Sequence, residues 1–277
     1  MANSKQHPRR GIQSIEVGGR LLHALAHHGR AMALKDLAAD AGMPAARAHP
    51  YLVSFGHLGL VEQDAVSCRY ALGPLALQLG LISLQQADPV RTAAPLLPEL
   101  ALRTGHTVAL VVWGNRGPTI VLREASPFAV HVDMRHGTVF SIAATASGRL
   151  FAANLPAEVV RPVYEAERSA AARRTRERSD ASVNMATALP TWRAFERELA
   201  DVRRHGLGRA EGAVIAGISA LSAPVFDQRG TMVVALTAIG PSAAFDARWS
   251  GHVAGVLRAA ASSVSARLGH GGGQPAA

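Results

Sequence analysis

The sequence predicts an α+β protein of two domains, on three observations. Its 277 residues suit two domains of ordinary size better than one. Residues 11–73 form a compact string of short amphipathic helical segments closed by two short β-like runs. Beyond Thr107 the texture changes to longer apolar runs separated by turn residues and by helical stretches. Hydrophobic residues make up 48% and charged residues 18%, which supplies apolar material for a core and excludes disorder of the whole chain.

Residues 1–10 read as a flexible basic tail. Ile15, Val17, Leu21, Leu22 and Leu25 recur at helical spacing up to His28 and Gly29. A second helix is expected over 34–41, with Leu34, Leu37, Ala38 and Ala41 on one face. Gly42 behind it can take the left-handed conformation that reverses a chain. A third starts at Pro44, a favourable first-turn residue, and carries Ala48, Tyr51, Leu52, Phe55 and Leu58 on its apolar face. Short strands over 59–62 and 69–72 flank a turn at 64–68. Three helices with a tight turn between the second and third, closed by a hairpin, make a winged helix-turn-helix over 11–73. In that arrangement the third helix enters the major groove of DNA.

A linker of residues 74–88 follows, helical to Ala87 and ended by Asp88 and Pro89. The second domain spans 89–268. Helix resumes over 90–104, with Pro95 and Pro98 as kink points. Strands are expected over 107–113, 119–124 and 128–133. Helices are expected over 147–154, 156–178 and 191–205, the last ended by Gly206. Strands over 220–226 and 231–239 flank the turn at 227–230. A long helix over 245–268 closes the domain, and 269–277 reads as a flexible tail. Helices and mostly antiparallel strands mixed this way suggest a sheet domain.

Lys and Arg number 29 against 20 Asp and Glu, a net charge of +9. Almost all of it is arginine, since only Lys5 and Lys35 are lysines. This composition fits a polyanionic partner, and equally a GC-rich genome. A single cysteine, Cys68, excludes a disulfide framework and multi-cysteine metal sites. No Gly-x-Ser-x-Gly elbow, phosphate loop, metal motif or acid–base pair is present, so no catalytic residue, cofactor or metal is assigned. His23 and His27 have metal-ligand spacing on a helix, but no acidic or cysteine partner stands near them in sequence, and solvated histidines are the plainer reading. Gly206-Leu207-Gly208 reads as a helix end plus turn, not as a dinucleotide fingerprint. The longest uncharged helical stretch, 71–87, holds Gly, Pro and three Gln and is too polar for a bilayer. With no targeting signal in the basic first ten residues, a cytoplasmic protein is expected.

Several motifs carry a resemblance. Ile12-Gln13-Ser14-Ile15-Glu16-Val17 opens the first helix. Leu37-Ala38-Ala39-Asp40-Ala41-Gly42-Met43-Pro44 is followed by His49, Tyr51-Leu52 and Gly59-Leu60-Val61-Glu62. Tyr70-Ala71-Leu72-Gly73 closes the wing, and Leu79-Gly80 falls in the linker. Further on stand Thr145-Ala146-Ser147-Gly148-Arg149 with Ala152 and Leu155-Pro156, then Ala223-Pro224-Val225-Phe226-Asp227 with Gly230, and Ile239-Gly240-Pro241. Their order and spacing resemble the IclR family of bacterial transcription regulators, from about Gly11 to Leu268. The resemblance implies a winged helix that binds double-stranded operator DNA and a C-terminal GAF-like domain that binds a small-molecule effector. It also implies a homodimer or homotetramer whose DNA binding or promoter activation the effector alters.

On the third helix, Ala45, Ala46, Arg47, His49 and Pro50 are expected to face the groove. Arg47 suits bidentate donation to guanine O6 and N7, or is a solvated surface arginine. The resembled family usually carries a basic residue where Pro50 stands. Proline inside a helix removes a hydrogen bond and tends to kink it. That departure supports an alternative: a ligand-binding or interaction module with impaired DNA binding. Lys35 and Arg69 read as phosphate contacts or, equally, as solubilising charge. For the effector, Ala146, Ser147 and Gly148 lie at a helix N-terminus whose N–H groups suit a carboxylate, with Ser147 as a plain N-cap the other reading. The resemblance places further contacts on the last strands, here Thr237, and near Glu211, one or two positions from the family's usual acidic residue. Arg135 or Arg149 suits an anionic ligand; Trp113 and Phe140 line the pocket or pack in the core. A small carboxylic or aromatic acid is the expected effector.

Overall fold

The computed structural model describes residues 11–126, 128, 132, 134–177, 189–212 and 216–271. The chain divides into two compact units, 1–87 and 88–277.

The first unit contains helices α1 (Gln13–His28), α2 (Leu34–Asp40) and α3 (Ala45–His57), strands β1 (Val61–Gln63) and β2 (Tyr70–Leu72), and α4 (Pro74–Gln86). Gly42, with φ 65, makes the turn between α2 and α3. The core gathers Leu21, Leu25, Leu37, Ala48, Leu52, Val61 and Tyr70. Met32 exchanges two backbone hydrogen bonds with Tyr70, of 2.9 and 2.8 Å, so it pairs alongside the hairpin. Ile15 and Leu58, expected on apolar faces, are 68% and 60% exposed. His28 Nε2 lies 3.1 Å from Asp40 Oδ2, tying the end of α1 to the end of α2. This acidic neighbour of the histidine-rich turn comes from twelve residues away and was invisible to local spacing. Among the described residues no three His, Cys, Asp or Glu side chains converge as a metal site.

Among the described residues the second unit holds strands β3 (Thr107–Gly114), β4 (Gly117–Glu124), β5 (Gly208–Glu211), β6 (Ile218–Phe226) and β7 (Met232–Pro241). They form one antiparallel sheet in the order β4-β3-β7-β6-β5, covered on both faces. Side chains alternate between the faces, as strand geometry requires. Val108, Leu110, Val234, Leu236 and Ala238 face one core, while Ala109, Val111, Ala235 and Ile239 face the other. The first core lies under α5 (Pro89–Ala93), α6 (Leu97–Thr104) and α11 (His252–Arg267). The second lies under α7 (Ala146–Asn154). Beside it run α8 (Ala157–Glu177), α9 (Trp192–Glu198) and α10 (Ala200–His205).

Several boundaries differ from the sequence expectations. The helix expected over 90–104 is three pieces, α5, a 3₁₀ turn at Ala94–Leu96 and α6. Pro95 and Pro98 lack the N–H that one continuous helix would use. The Asp88 carboxylate caps α5, accepting from the N–H of Val90 and Arg91 at 2.9 and 3.0 Å. The helix expected over 191–205 divides into α9 and α10 at Leu199. The closing helix begins at His252, not 245. Residues ahead of it turn around Asp246, whose carboxylate accepts from the Arg248 guanidinium at 2.8 and 2.9 Å and from His252 N at 3.1 Å. Phe128 and Val132 are not in a strand, and the rest of the strand expected over 128–133 lies outside the described residues. The tail expected from 269 starts packed. His270 N donates to Ser265 O at 2.9 Å and its ring stacks on Phe226 at 5.2 Å. The first ten residues and 272–277, expected as flexible ends, lie outside the described residues.

Tyr164 of α8 is fully buried, stacks on Phe195 at 4.6 Å and donates to Pro190 O at 2.8 Å. Burial, with Glu167 and Glu198 nearby, pushes its phenol up to about 12. The unfolded phenol ionises near about 10. The folded state therefore holds the proton longer, and stability is fully present below about pH 10 and lost as pH rises toward 12. Urea midpoints measured across pH 9–12 are expected to fall less in Tyr164→Phe than in the wild type; equal slopes would remove this residue from the alkaline transition.

Candidate DNA interface and effector cavity

Helix α3 runs unbroken through Pro50. Ala46, Arg47, His49 and Pro50 are exposed on it, and Val53 is 43% exposed. Ala45, expected at the groove, instead turns inward and packs against the core. It sits on the same side as Ala48 and Leu52, the buried residues of this helix. Pro50 has no N–H, so the carbonyl of Ala46 loses its i+4 donor. Ser54 Oγ donates to Pro50 O at 3.0 Å. Lys35 on α2 is exposed, as is Arg69 at the base of the wing. The wing turn is built on Asp64, whose Oδ1 accepts from the Ser67 hydroxyl and N–H, both at 2.7 Å, and from Val66 N at 3.3 Å. The Ser67 hydroxyl, followed by these backbone donors, holds the Asp64 carboxyl below its ordinary range.

In the second unit a cavity of about 410 Å³ lies between the sheet, the start of α7 and the loop before it. Its apolar wall is Val132, Met134, Val139, Phe140, Ala210, Ile218, Ala220 and Ile239. Its polar groups are Arg135, Thr138, Ser141, Thr145, Ser147 and Thr237. The loop is fixed by backbone bonds to β4. Gly137 N donates to Ile120 O at 2.8 Å, Ile120 N to Thr138 O at 3.0 Å, and Phe140 N to Pro118 O at 2.7 Å. From the far side, Glu167 of α8 accepts from Ser141 Oγ and from Ile142 N.

Thr145 is the N-cap of α7; its Oγ1 accepts from Gly148 N at 2.9 Å. The cap reading considered for Ser147 therefore belongs to Thr145. Ser147 Oγ and Thr237 Oγ1 are 2.9 Å apart, and Ser222 Oγ lies 2.8 Å from Thr237, a chain of three buried hydroxyls from α7 to the sheet. Arg135 is exposed at the cavity's edge, and its guanidinium forms no ion pair among the described residues. Arg149 is directed elsewhere, donating to Ala143 O at 2.7 Å and lying 4.0 Å from Glu198.

The cavity thus brings together Ala146, Ser147 and Thr237 with Arg135 and Phe140. Two expected contacts are not part of its lining. Gly148 is buried where a Cβ would meet the backbone of Ser141 and Ile142, so it is a close-packing residue. Glu211 is exposed on β5 and lies 3.2 Å from Arg209. Trp113 packs on Phe151 at 5.8 Å, in the core. Ile218, Ala220, Met134 and Val139 were missed by sequence reasoning. Once β6 is recognised as an interior strand, alternation marks Ile218 and Ala220 as sharing one face.

A winged helix-turn-helix head and a sheet domain enclosing an apolar cavity with convergent polar groups define a DNA-binding protein with a sensor domain. The chain belongs to the IclR family. Residues 14–65 match the IclR helix-turn-helix domain, and residues 82–266 match the bacterial transcriptional regulator IclR C-terminal domain. It is 29% identical over 231 residues to the glycerol operon regulatory protein of Streptomyces coelicolor, covering 83% of this chain and 85% of that one. The structure of Pseudomonas aeruginosa HmgR superposes with a TM-score of 0.83 at 35% identity, covering 95% of this chain and all of that one. An IclR homologue of Microbacterium hydrocarbonoxydans, solved in complex with 4-hydroxybenzoate, shares the fold with a TM-score of 0.51 at 20% identity, covering 92% and 98%. The chain is thus a DNA-binding transcriptional regulator with an effector domain. Nothing in these comparisons supports the alternative of a head that has lost DNA binding.

Proposed function

We propose that residues 11–73 read an operator through α3 and the wing, that 74–88 link them to an effector domain over 89–268, and that a small carboxylic acid bound in the cavity changes DNA binding. One observation carries the effector assignment: an apolar cavity of about 410 Å³ that combines an Arg135 cation, the first turn of α7 and the Ser147–Thr237 hydroxyl pair. Helix N-terminal N–H groups and a cation favour an anion, and the apolar wall favours a carbon skeleton. The 4-hydroxybenzoate seen in the Microbacterium relative is of this chemical class. In this reading the protein is a regulator and not an enzyme, and acts in the cytoplasm, where its DNA is.

Self-association through α4 completes the proposal. No charged residue occurs in its thirteen positions, and Leu77, Leu79, Leu81 and Ile82 are 43–66% exposed. Apolar surface of this kind on a short helix calls for a partner, and a second copy gives the homodimer, or a homotetramer, that places two heads on two half-sites.

In the head, Arg47 reads a base and Lys35 and Arg69 hold phosphates. The full chain is expected to retard a duplex from its own upstream region. Arg47→Ala is expected to weaken that complex about tenfold or more, with little effect on unrelated DNA. Lys35→Ala and Arg69→Ala are expected to weaken both alike and to reduce the salt slope by about one each. Failure to retard any upstream fragment at low salt, with and without candidate acids, would remove the operator-reading role.

A further inference from the structure

The outward stripe of α3 has a chemistry of its own. Ala46, Pro50 and Val53 stand at i, i+4 and i+7, so they lie one above another on one face of the helix. Ala46 and Pro50 are exposed and Val53 is 43% exposed. The buried residues, Ala48 and Leu52, are on the other side. None of the three stripe side chains has a hydrogen-bond donor or acceptor. Arg47 flanks the stripe. His49, at i+3 from Ala46 and i−4 from Val53, borders it on the other side, and the exposed His57 follows on the same face only at the end of α3. Ser54, beside it, turns its hydroxyl back onto Pro50 O at 3.0 Å, which occupies its proton.

Along this stripe bases are not discriminated by matching donors to acceptors; that kind of reading belongs to Arg47 beside it. The C5 methyl of thymine is the one methyl group on the major-groove edges, where the other base pairs present mainly donors and acceptors. An apolar stripe laid in the groove gains by covering that methyl and loses by covering an amine or carbonyl, which would give up its water without a partner. We propose that Pro50 and Val53 are specificity-determining residues that select thymine in each half-site by contact with its methyl group. The inference rests on α3 being the helix that enters the groove. Pro50 is then a reading element and not a damaged position. Its ring adds rigid apolar surface that needs no ordering on binding, at a position where Lys or Arg would grip phosphate without regard to sequence.

The test uses the full chain and a random-sequence duplex pool. Repeated selection at moderate salt yields a preferred duplex, and each thymine in it is then replaced singly by deoxyuridine, which removes only the methyl. The expected result is a loss of affinity of about fourfold at one or two thymines in each half-site, the value of one buried methyl-sized group. Pro50→Ser and Val53→Ser, both at the surface and checked for an unchanged melting temperature, are each expected to bind the thymine and uracil forms alike at one of those positions. Their dependence on the base read by Arg47 should remain. A wild type indifferent to every methyl, or serine variants that keep full methyl dependence, would overturn the proposal while leaving α3 as the reading helix. A pool from which no duplex is enriched would overturn both.

Discussion

Gly208→Ala is expected to destabilise the second domain by about 3 kcal/mol, and to lower its melting temperature by about 6–12 °C. The cause is space alone, because Gly208 does not have a positive φ. A Cβ there would press on the carbonyl oxygen of Ala146 and lie 2.9 Å from its carbonyl carbon and 3.0 Å from Leu150 Cβ. The nearest obstacles are backbone, which cannot rotate aside, so β5 and the first turn of α7 must separate. Gly148 makes the matching approach two residues along α7, where a Cβ would fall 2.6 Å from Ile142 Cα. The two glycines clamp the start of α7 between β5 and the loop, and that turn carries Ala146 and Ser147 into the cavity. Gly255→Ala is the contrast: it lies in the interior of α11 with nothing within 4 Å. That change is expected to be neutral or to stabilise by up to about 1 kcal/mol. Calorimetry of the three proteins decides. A Gly208→Ala protein melting with the wild type would mean that α7 and β5 part without strain.

What was readable in the sequence follows from what each element depends on. The head was legible almost residue by residue, because α1, α2 and α3 each bury a periodic face and Gly42 marks the turn between two of them. In α3 the error was Ala45, a small residue on the margin of the buried arc, which spacing alone assigns to either side. Strand β5 was not legible. Gly-Arg-Ala-Glu shows no apolar alternation, and it is a strand because its backbone pairs with β6, Gly208 opposite Ser222 through Glu211 opposite Ser219. Seen as a strand, the same four residues place Arg209 and Glu211 on one face, which accounts for their ion pair and for the absence of Glu211 from the cavity. The cavity wall at residues 134–141 was hidden for a similar reason. It is held by backbone bonds to β4, which any sequence can make. The N-terminus of α7 was legible to within a residue from the small residues around Ser147, but its cap was not, since a threonine and a serine two positions apart both suit that role and only the structure assigns it to Thr145. The partners of that turn, Thr237 across the sheet and Ile218 and Ala220 on β6, come together only when the strands are ordered.

Ala220→Trp is expected to abolish the effector response and leave operator affinity in the absence of effector unchanged. Ala220 lies on β6 and faces the cavity, partly exposed to it, so a large side chain there has room to enter. An indole occupies much of a space of about 410 Å³. Ser147 is a poorer place for the same change, because it is 1% exposed and bonded to Thr237 at 2.9 Å, so bulk there would wedge α7 from the sheet. A small acid at about a hundred times its dissociation constant should stabilise the wild type by about 2.7 kcal/mol, and the tryptophan variant not at all. Charge is separated from shape by Arg135→Gln. The wild type is expected to bind an acid about tenfold more tightly than its neutral amide, and the glutamine variant to lose most of that preference and keep the part supplied by the N–H groups of α7, since an exposed cation at a partly closed site contributes on the order of 1 kcal/mol. Equal stabilisation of the wild type and Ala220→Trp by the same acid would place the effector outside this cavity. The Arg135, Ser147 and Thr237 assignments would then fall together, and the head and its reading of DNA would be untouched.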